Sequence, residues 1–358
     1  MRALSIVGPE KLEWVDLPEP HAGPGEVVIR VRNVGICGSD LHLFVGRHPD
    51  VRLPVVPGHE FSGDVVEVGA GASHKVGDRA VVEPLVTDGT CFYCRRGEYN
   101  RCKNLKFLGN QAPGAFTEKI AVGDRWVYSM PDSMSYEEGA AVEPLAIAVH
   151  ALKRAGLREG DSIAVVGGGT IGLFVLSAAK AAGASFIGVV EPVDWRAKTA
   201  KELGADLVVA PEHAQKIVEE TEVGTDVSVE AVGKSETAAL AVSLTRKGGR
   251  TVIAGVFEIP QLQLDPMTLV DNEKEVVGTL GYSWGDFPTA ISLIAKGRVD
   301  AKRLVSRVLP LERAEEGFRL ALSRGQVIKV QLTPRSSEGQ PSKRDMPRII
   351  WEPRAPLD

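Results

Sequence analysis

Hydrophobic positions in the first part of the chain recur at period two. Val27, Ile29 and Val31 alternate with Val28, Arg30 and Arg32, as in a half-buried strand. Short β-branched runs follow at Asp64–Val68 and Arg79–Val82, set apart by Gly, Pro and Asp. Short strands at this density predict a barrel or sandwich over the first ~145 residues.

The pattern changes at Ser135. Ser135 and Glu138 have the spacing of a capping box, which starts a helix. Pro144 opens a second helical run, Leu145–Ala155, and Gly156 stops it. Strands and helices then alternate. Strands are expected at Ser162–Val166, Phe186–Val190, Leu207–Val209, Asp226–Glu230 and Arg250–Gly255. Helices are expected at Ile171–Ala182 and at Arg196–Leu203, which Gly204 ends. Such alternation predicts a parallel, doubly wound sheet. The fold class is α/β, a barrel or sandwich followed by a doubly wound domain, with a mixed region from about Leu280 and a proline-rich tail at 334–358. That tail is either disordered or an arm packed on a neighbouring subunit, since Ile349, Ile350 and Trp351 are apolar for a solvated end.

From Ser162 to Val190 the only charge is Lys180, long enough for a membrane span. Gly167, Gly168, Gly169, Gly172 and Gly183 interrupt it, so strand, turn, helix and strand fit better. The N-terminal residues include Glu10, Lys11, Glu13 and Asp16 and no apolar core, so no signal peptide is expected. The 358 residues carry 42 Lys and Arg against 47 Asp and Glu, a net charge of −5. This gives no basic footprint for nucleic acid. The four cysteines, Cys37, Cys91, Cys94 and Cys102, are too few for a secreted disulfide framework in a chain this long. Clustered thiols in a reducing cytoplasm more often bind metal.

Gly167-Gly168-Gly169-Thr170-Ile171-Gly172 reads G-x-G-x-x-G between an apolar strand and a helix. In that context the glycines allow a tight turn, close approach of a pyrophosphate and close helix packing. The helix N-terminus then offers free N–H groups to phosphate. Glu191, at the end of the next strand, can accept from ribose hydroxyl groups and would repel a 2′-phosphate, favouring NAD over NADP. Arg196 either accommodates such a phosphate or covers the adenine.

Three further segments carry metal-ligand residues: Cys37-Gly38-Ser39-Asp40-Leu41-His42, Gly58-His59-Glu60-Phe61-Ser62-Gly63 and Val142-Glu143-Pro144. With the glycine turn, Val76-Gly77-Asp78-Arg79, Glu230-Ala231-Val232-Gly233 and Gly248-Gly249-Arg250, they resemble the zinc-dependent medium-chain dehydrogenase/reductase family. The likeness runs from Met1 to about Thr333 and is strongest to the polyol branch: sorbitol, butanediol and threonine dehydrogenases. It implies an α/β protein with a GroES-like β-barrel catalytic domain at 1–147, completed by about 299–333, and a Rossmann dinucleotide-binding domain at 148–298. It places Cys37, His59 and Glu143 around a catalytic zinc, with Glu60 as a further ligand, direct or through water. It implies that Ser39 takes the alcohol proton and His42 passes it to solvent, although Ser39 could be a turn cap and His42 a structural partner. Gly255 and Val256 join Gly167, Gly169, Thr170, Ile171, Gly172, Glu191 and Arg196 at the cofactor.

The family's structural zinc lobe has four cysteines. Here Asp88 stands at the first position, followed by Cys91, Cys94 and Cys102. Asp oxygen is a competent zinc ligand, so a Cys₃Asp site is expected; the rival is an empty or labile lobe. Gly281 replaces an Arg that contacts the polyol in sorbitol dehydrogenases. A smaller diol or secondary alcohol is then preferred. Phe44 and Trp284 line the pocket or belong to the core.

The expected activity is oxidation of a secondary alcohol, a polyol or vicinal diol, to the ketone by hydride transfer to NAD. Rivals are an L-threonine or sugar-acid dehydrogenase and an inactive nucleotide-binding regulatory protein. The family also implies a homodimer or homotetramer, formed through the Rossmann edge strand near Leu280 and the cysteine lobe, and a small-molecule substrate. No nucleic acid or membrane partner is expected.

Overall fold

The strand Glu26–Gly35 is the spine of the first unit, and its composition says why. Val27, Val28, Ile29, Val31 and Val34 are buried, and Arg30 and Arg32 point to solvent. Val28 breaks the simple alternation where the pairing with Glu60–Val68 shifts register, between Val28 and Ile29. The strand pairs antiparallel with Glu60–Val68 and with Lys119–Gly123. The full sheet has seven strands in the order Val305–Pro310, Lys329–Thr333, Glu26–Gly35, Glu60–Val68, Arg79–Val82 and Val127–Ser129, with Lys119–Gly123 off that path. The structure, a computed structural model, describes residues 1–48, 50–259, 261–323 and 327–334. The tail expected at residues 334–358 lies outside them beyond Pro334.

The chain divides into two units. One comprises Met1–Val86, Lys106–Ala140 and the chain from Arg307; the other comprises Thr87–Leu105 and Ala141–Ser306. The first has its own apolar core, which includes Ile29, Val65, Phe116 and Phe318. The all-β expectation for the first part of the chain needs correction. Short helices at Gly38–Phe44 and Phe92–Arg95 interrupt the strands, while Tyr136–Ala140 is the helix expected after Ser135. A hairpin, Arg2–Gly8 with Lys11–Asp16, precedes them.

In the second unit six parallel strands stand in the order Leu207–Val209, Phe186–Val190, Ser162–Val166, Thr225–Glu230, Thr245–Ile253 and Glu275–Gly278. Chain order reverses between Ser162–Val166 and Thr225–Glu230, so a crevice for ligands opens beyond the carboxyl ends of these two strands. The capping box forms: Glu138 Oε2 accepts the Ser135 N–H at 2.8 Å, and the Glu138 N–H donates to Ser135 Oγ at 3.3 Å. The next helix, Val142–Ala155, begins earlier than Pro144 predicts. Proline is tolerated throughout a first turn, whose N–H groups have no helical partner. Gly156, at φ 72°, closes that helix. Among the described residues no helix is long and apolar enough to cross a membrane.

Candidate active site and metal centres

The helix Gly38–Phe44 starts directly after the spine strand, with Cys37 as its N-cap. Asp40 Oδ2 accepts the Cys37 N–H at 2.8 Å and fixes that cap. Strand pairing sets Glu60 opposite Gly35, at the same end of the sheet. Cap and register together gather a thiol, an imidazole and a carboxylate. One ligand atom each from Cys37, His59 and Glu60 lies within 4.8 Å of the others. His59 and Glu60 are buried and Cys37 is half-buried. A compact S, N and O donor set of this kind fits Zn²⁺.

Two residues the sequence reading did not single out stand behind this group. Asp40 is fully buried, with Oδ1 3.9 Å from His59 Nδ1. Burial pushes its carboxyl up, and the His59 charge opposes that. At 3.9 Å the carboxylate is a charge beside the imidazole rather than a hydrogen-bond partner. The only sequence signal is the three-residue spacing from Cys37. Lys329 donates to both carboxylate oxygens of Glu60 at 2.7 Å and to Ile36 O at 3.1 Å. Both side chains are buried, with relative exposures of 4% and 1%. A Cβ on Gly35 would lie 2.0 Å from Glu60 Oε2, so that glycine makes room for the carboxylate. Lys329 is 269 residues from Glu60, and nothing local in the sequence points to it.

Ser39 and His42 lie three residues apart on the Gly38–Phe44 helix, hence on one face, and both are half-buried. Phe44 belongs to the core: it is fully buried and stacks on Phe318 at 4.7 Å between ring centroids.

The remaining candidates belong to the second unit. Glu143, in the first turn of Val142–Ala155, is buried, and its Oε1 accepts the Tyr282 O–H at 2.9 Å. Tyr282 is 139 residues from Glu143, and nothing local in the sequence points to this bond. Trp284 is 57% exposed and packs edge-on against Tyr99. Asp88, Cys91, Cys94 and Cys102 also gather their ligand atoms within 4.8 Å. Asp88 Oδ1 accepts the N–H groups of Thr90 and Cys91, each at 2.9 Å, and Oδ2 accepts Asn104 Nδ2 at 3.0 Å. The Cys91 and Thr90 amides hold the Asp88 carboxyl well below its ordinary range. Backbone N–H groups, chiefly those of Cys94 and Lys103, lower the Cys91 thiol. Burial, then Cys102 and Cys91, pushes the Cys94 thiol up to about 12. All four cysteines are free thiols. Three sulfurs and a carboxylate this close again fit Zn²⁺.

At the glycine turn, Gly167 has φ 107°, a left-handed conformation that glycine adopts without strain. A Cβ on Gly172 would lie 1.7 Å from Gly167 O, whereas the space beside Gly169 is open. Gly169 is the N-cap of the helix Thr170–Ala181, so a pyrophosphate fits against that turn. Ile171 follows in the first turn. Glu191 is buried, with Oε2 accepting the Gly168 N–H at 2.7 Å and Oε1 the Val193 N–H at 2.9 Å. The Arg196 guanidinium lies over the Trp195 ring, 5.2 Å from its centroid. Gly255 packs so tightly on Gly233 that a Cβ would come within 2.1 Å of its nitrogen, and Val256 beside it is 50% exposed.

Residues 23–132 match the alcohol dehydrogenase GroES-like domain, and residues 170–296 match the zinc-binding dehydrogenase domain. Over 347 residues the chain is 35% identical to sorbitol dehydrogenase of Bacillus subtilis, covering 93% of this chain and 97% of that one. It is 39% identical to (R,R)-butanediol dehydrogenase of the same organism, covering 89% and 95%. The crystal structure of 2R,3R-butanediol dehydrogenase from Bacillus subtilis superposes with a TM-score of 0.86 at 36% identity, covering 93% of this chain and 99% of that one.

Proposed function

The chain belongs to the zinc-dependent medium-chain dehydrogenase/reductase family, in its polyol branch, and from that premise we propose that it oxidises a polyol or vicinal diol to the ketone with NAD. The observation that carries this reading is the buried group of Cys37, His59 and Glu60. When bound, zinc supplies a Lewis acid that makes an alcohol hydroxyl easier to deprotonate, and NAD supplies the hydride acceptor.

The chain's own residues do the rest. Cys37 and His59 would hold the metal, with the Asp40 carboxylate 3.9 Å from His59 Nδ1. Glu60, neutralised by Lys329, stands by as a further ligand, and the family resemblance assigns Glu143 to the same metal. Ser39 Oγ accepts the hydroxyl proton as it gives up its own toward His42, on the same helix face, whose imidazole can both accept and donate on the way to solvent. Gly167, Gly169, Thr170, Ile171 and Gly172 hold the pyrophosphate, with Gly255 and Val256 toward the nicotinamide half. Glu191 faces the adenosine ribose, and Arg196 covers the adenine. Asp88, Cys91, Cys94 and Cys102 hold a second, structural zinc.

We place the catalytic domain at residues 1–147, completed by about 299–333, and the cofactor domain at 148–298. The Glu275–Gly278 edge strand, flanked by exposed Val270 and Leu280, is the surface on which a homodimer or homotetramer forms. Free thiols suit a cytoplasmic protein. The test is NAD⁺ and NADP⁺ reduction across polyols, vicinal diols, secondary alcohols, sugar acids and L-threonine, each repeated after chelation. Chelator-sensitive turnover of a polyol or diol with NAD⁺ is expected. Turnover of L-threonine or a sugar acid alone would reassign the substrate, and silence with no bound metal would favour a nucleotide-binding regulatory protein.

A further inference from the structure

The segment between Gly278 and the helix Asp286–Ala295 is held at both ends, and the two anchors belong to different parts of the second unit. On one side is the cysteine lobe. The turn Tyr99–Arg101 directly precedes the candidate ligand Cys102, whose N–H donates to Tyr99 O at 3.0 Å. From that turn Asn100 Nδ2 donates to Leu280 O at 3.0 Å, and Tyr99 packs edge-on against Trp284 at 5.0 Å between centroids. On the other side is the helix Val142–Ala155. Its Glu143 accepts the Tyr282 O–H, its His150 Nδ1 meets Asp286 Oδ2 at 2.8 Å, and its Lys153 donates to Asp286 Oδ1 at 3.2 Å. The Tyr282 ring is fully buried and packs edge-on against Phe287 at 4.8 Å. A buried ring cannot swing independently, so the segment's path fixes where its hydroxyl points.

We propose that Tyr282 is a positioning residue for the Glu143 carboxylate, and that the cysteine lobe sets Tyr282 in place through Asn100 and Tyr99. A hydroxyl donating to a carboxylate is among the stronger hydrogen bonds and is sharply directional. A cation shared by the lobe's ligands would fix the turn before Cys102. The state of the lobe is therefore felt at Glu143. This inference rests on the reading of Glu143 as part of the reaction site.

A double-mutant cycle tests it. Tyr282→Phe keeps the ring and removes only the hydroxyl; it lowers kcat about tenfold, with NADH affinity unchanged. Asn100→Ala cuts the lobe contact and lowers kcat about threefold. In the Tyr282→Phe background Asn100→Ala has no further effect, because the link it acts through is already broken. Independent of turnover, amide hydrogen exchange over residues 279–286 rises in Asn100→Ala and in Cys94→Ser. Should Asn100→Ala fail to fold, Asn100→Leu keeps the volume and removes the donor. Multiplicative losses in the double variant, or Asn100→Ala with unchanged kcat, overturn the proposal. Glu143→Gln separates the two levels. Full kcat there removes Glu143 from the reaction and the proposal with it; a crippled Glu143→Gln with multiplicative losses overturns the proposal alone.

Discussion

Cys37, His59 and Glu60 meet because a helix cap and a strand register bring separate segments together. Asp88, Cys91, Cys94 and Cys102 meet because one short stretch of chain turns on itself. The first group is largely buried and backed by side chains, Asp40 behind His59 and Lys329 behind Glu60. The second is mostly half-exposed and backed by amide donors, from Thr90, Cys91 and Asn104. The difference suits the proposed reading of the first as a site for chemistry and the second as one for shape. A buried group with charged neighbours places a cation in low dielectric, where it polarises a substrate strongly. A local group held by its own backbone closes a loop. It touches the chemistry only through what the loop leans on.

The comparison can be broken most sharply at Cys37. Cys37→Ala lowers turnover on the order of a thousandfold and leaves NADH affinity nearly unchanged, read by steady-state kinetics and fluorescence titration. Retained turnover would remove the metal from the reaction. Lys329→Met is next. It strands a buried carboxylate, at a cost of about 3–5 kcal/mol in urea unfolding of the metal-free protein. The loss is smaller with metal bound, since the cation then neutralises Glu60. Asp40→Asn lowers metal affinity at the Cys37 group about tenfold to a hundredfold by competition with a chelator of known strength. The lobe is unaffected. The smallest effect on turnover belongs to the lobe. Asp88→Ala takes bound zinc from two per chain to one, by elemental analysis, and lowers kcat only about threefold. One zinc per chain before and after that change would mean the lobe is empty in the native protein.

The features legible in the sequence are those whose cause is local. The strands Ser162–Val166, Phe186–Val190 and Leu207–Val209 stand where the apolar runs placed them. The Ser135 box and the glycine turn also follow from residues a few positions apart. The cysteine spacing pointed to the lobe cluster for the same reason. Lys329 was invisible because a lone lysine carries no sign of a partner 269 residues away. Asp40 was visible only as a residue near Cys37, since its meaning lies in His59 across the strand pair. Tyr282 needed the fold to meet Glu143. Phe44 shows the converse: an aromatic beside ligand residues suggested a pocket wall, yet Phe318, far along the chain, takes it into the core. The helix Gly38–Phe44 is too short to show a helical period.

The most direct test strips metal from the protein and restores it stepwise, following bound zinc and NAD⁺ reduction by a vicinal diol in the same samples. Turnover is predicted to vanish on stripping and to return in proportion to zinc at the Cys37 group, with Cys37→Ala silent throughout. Undiminished turnover in fully stripped protein would contradict the account.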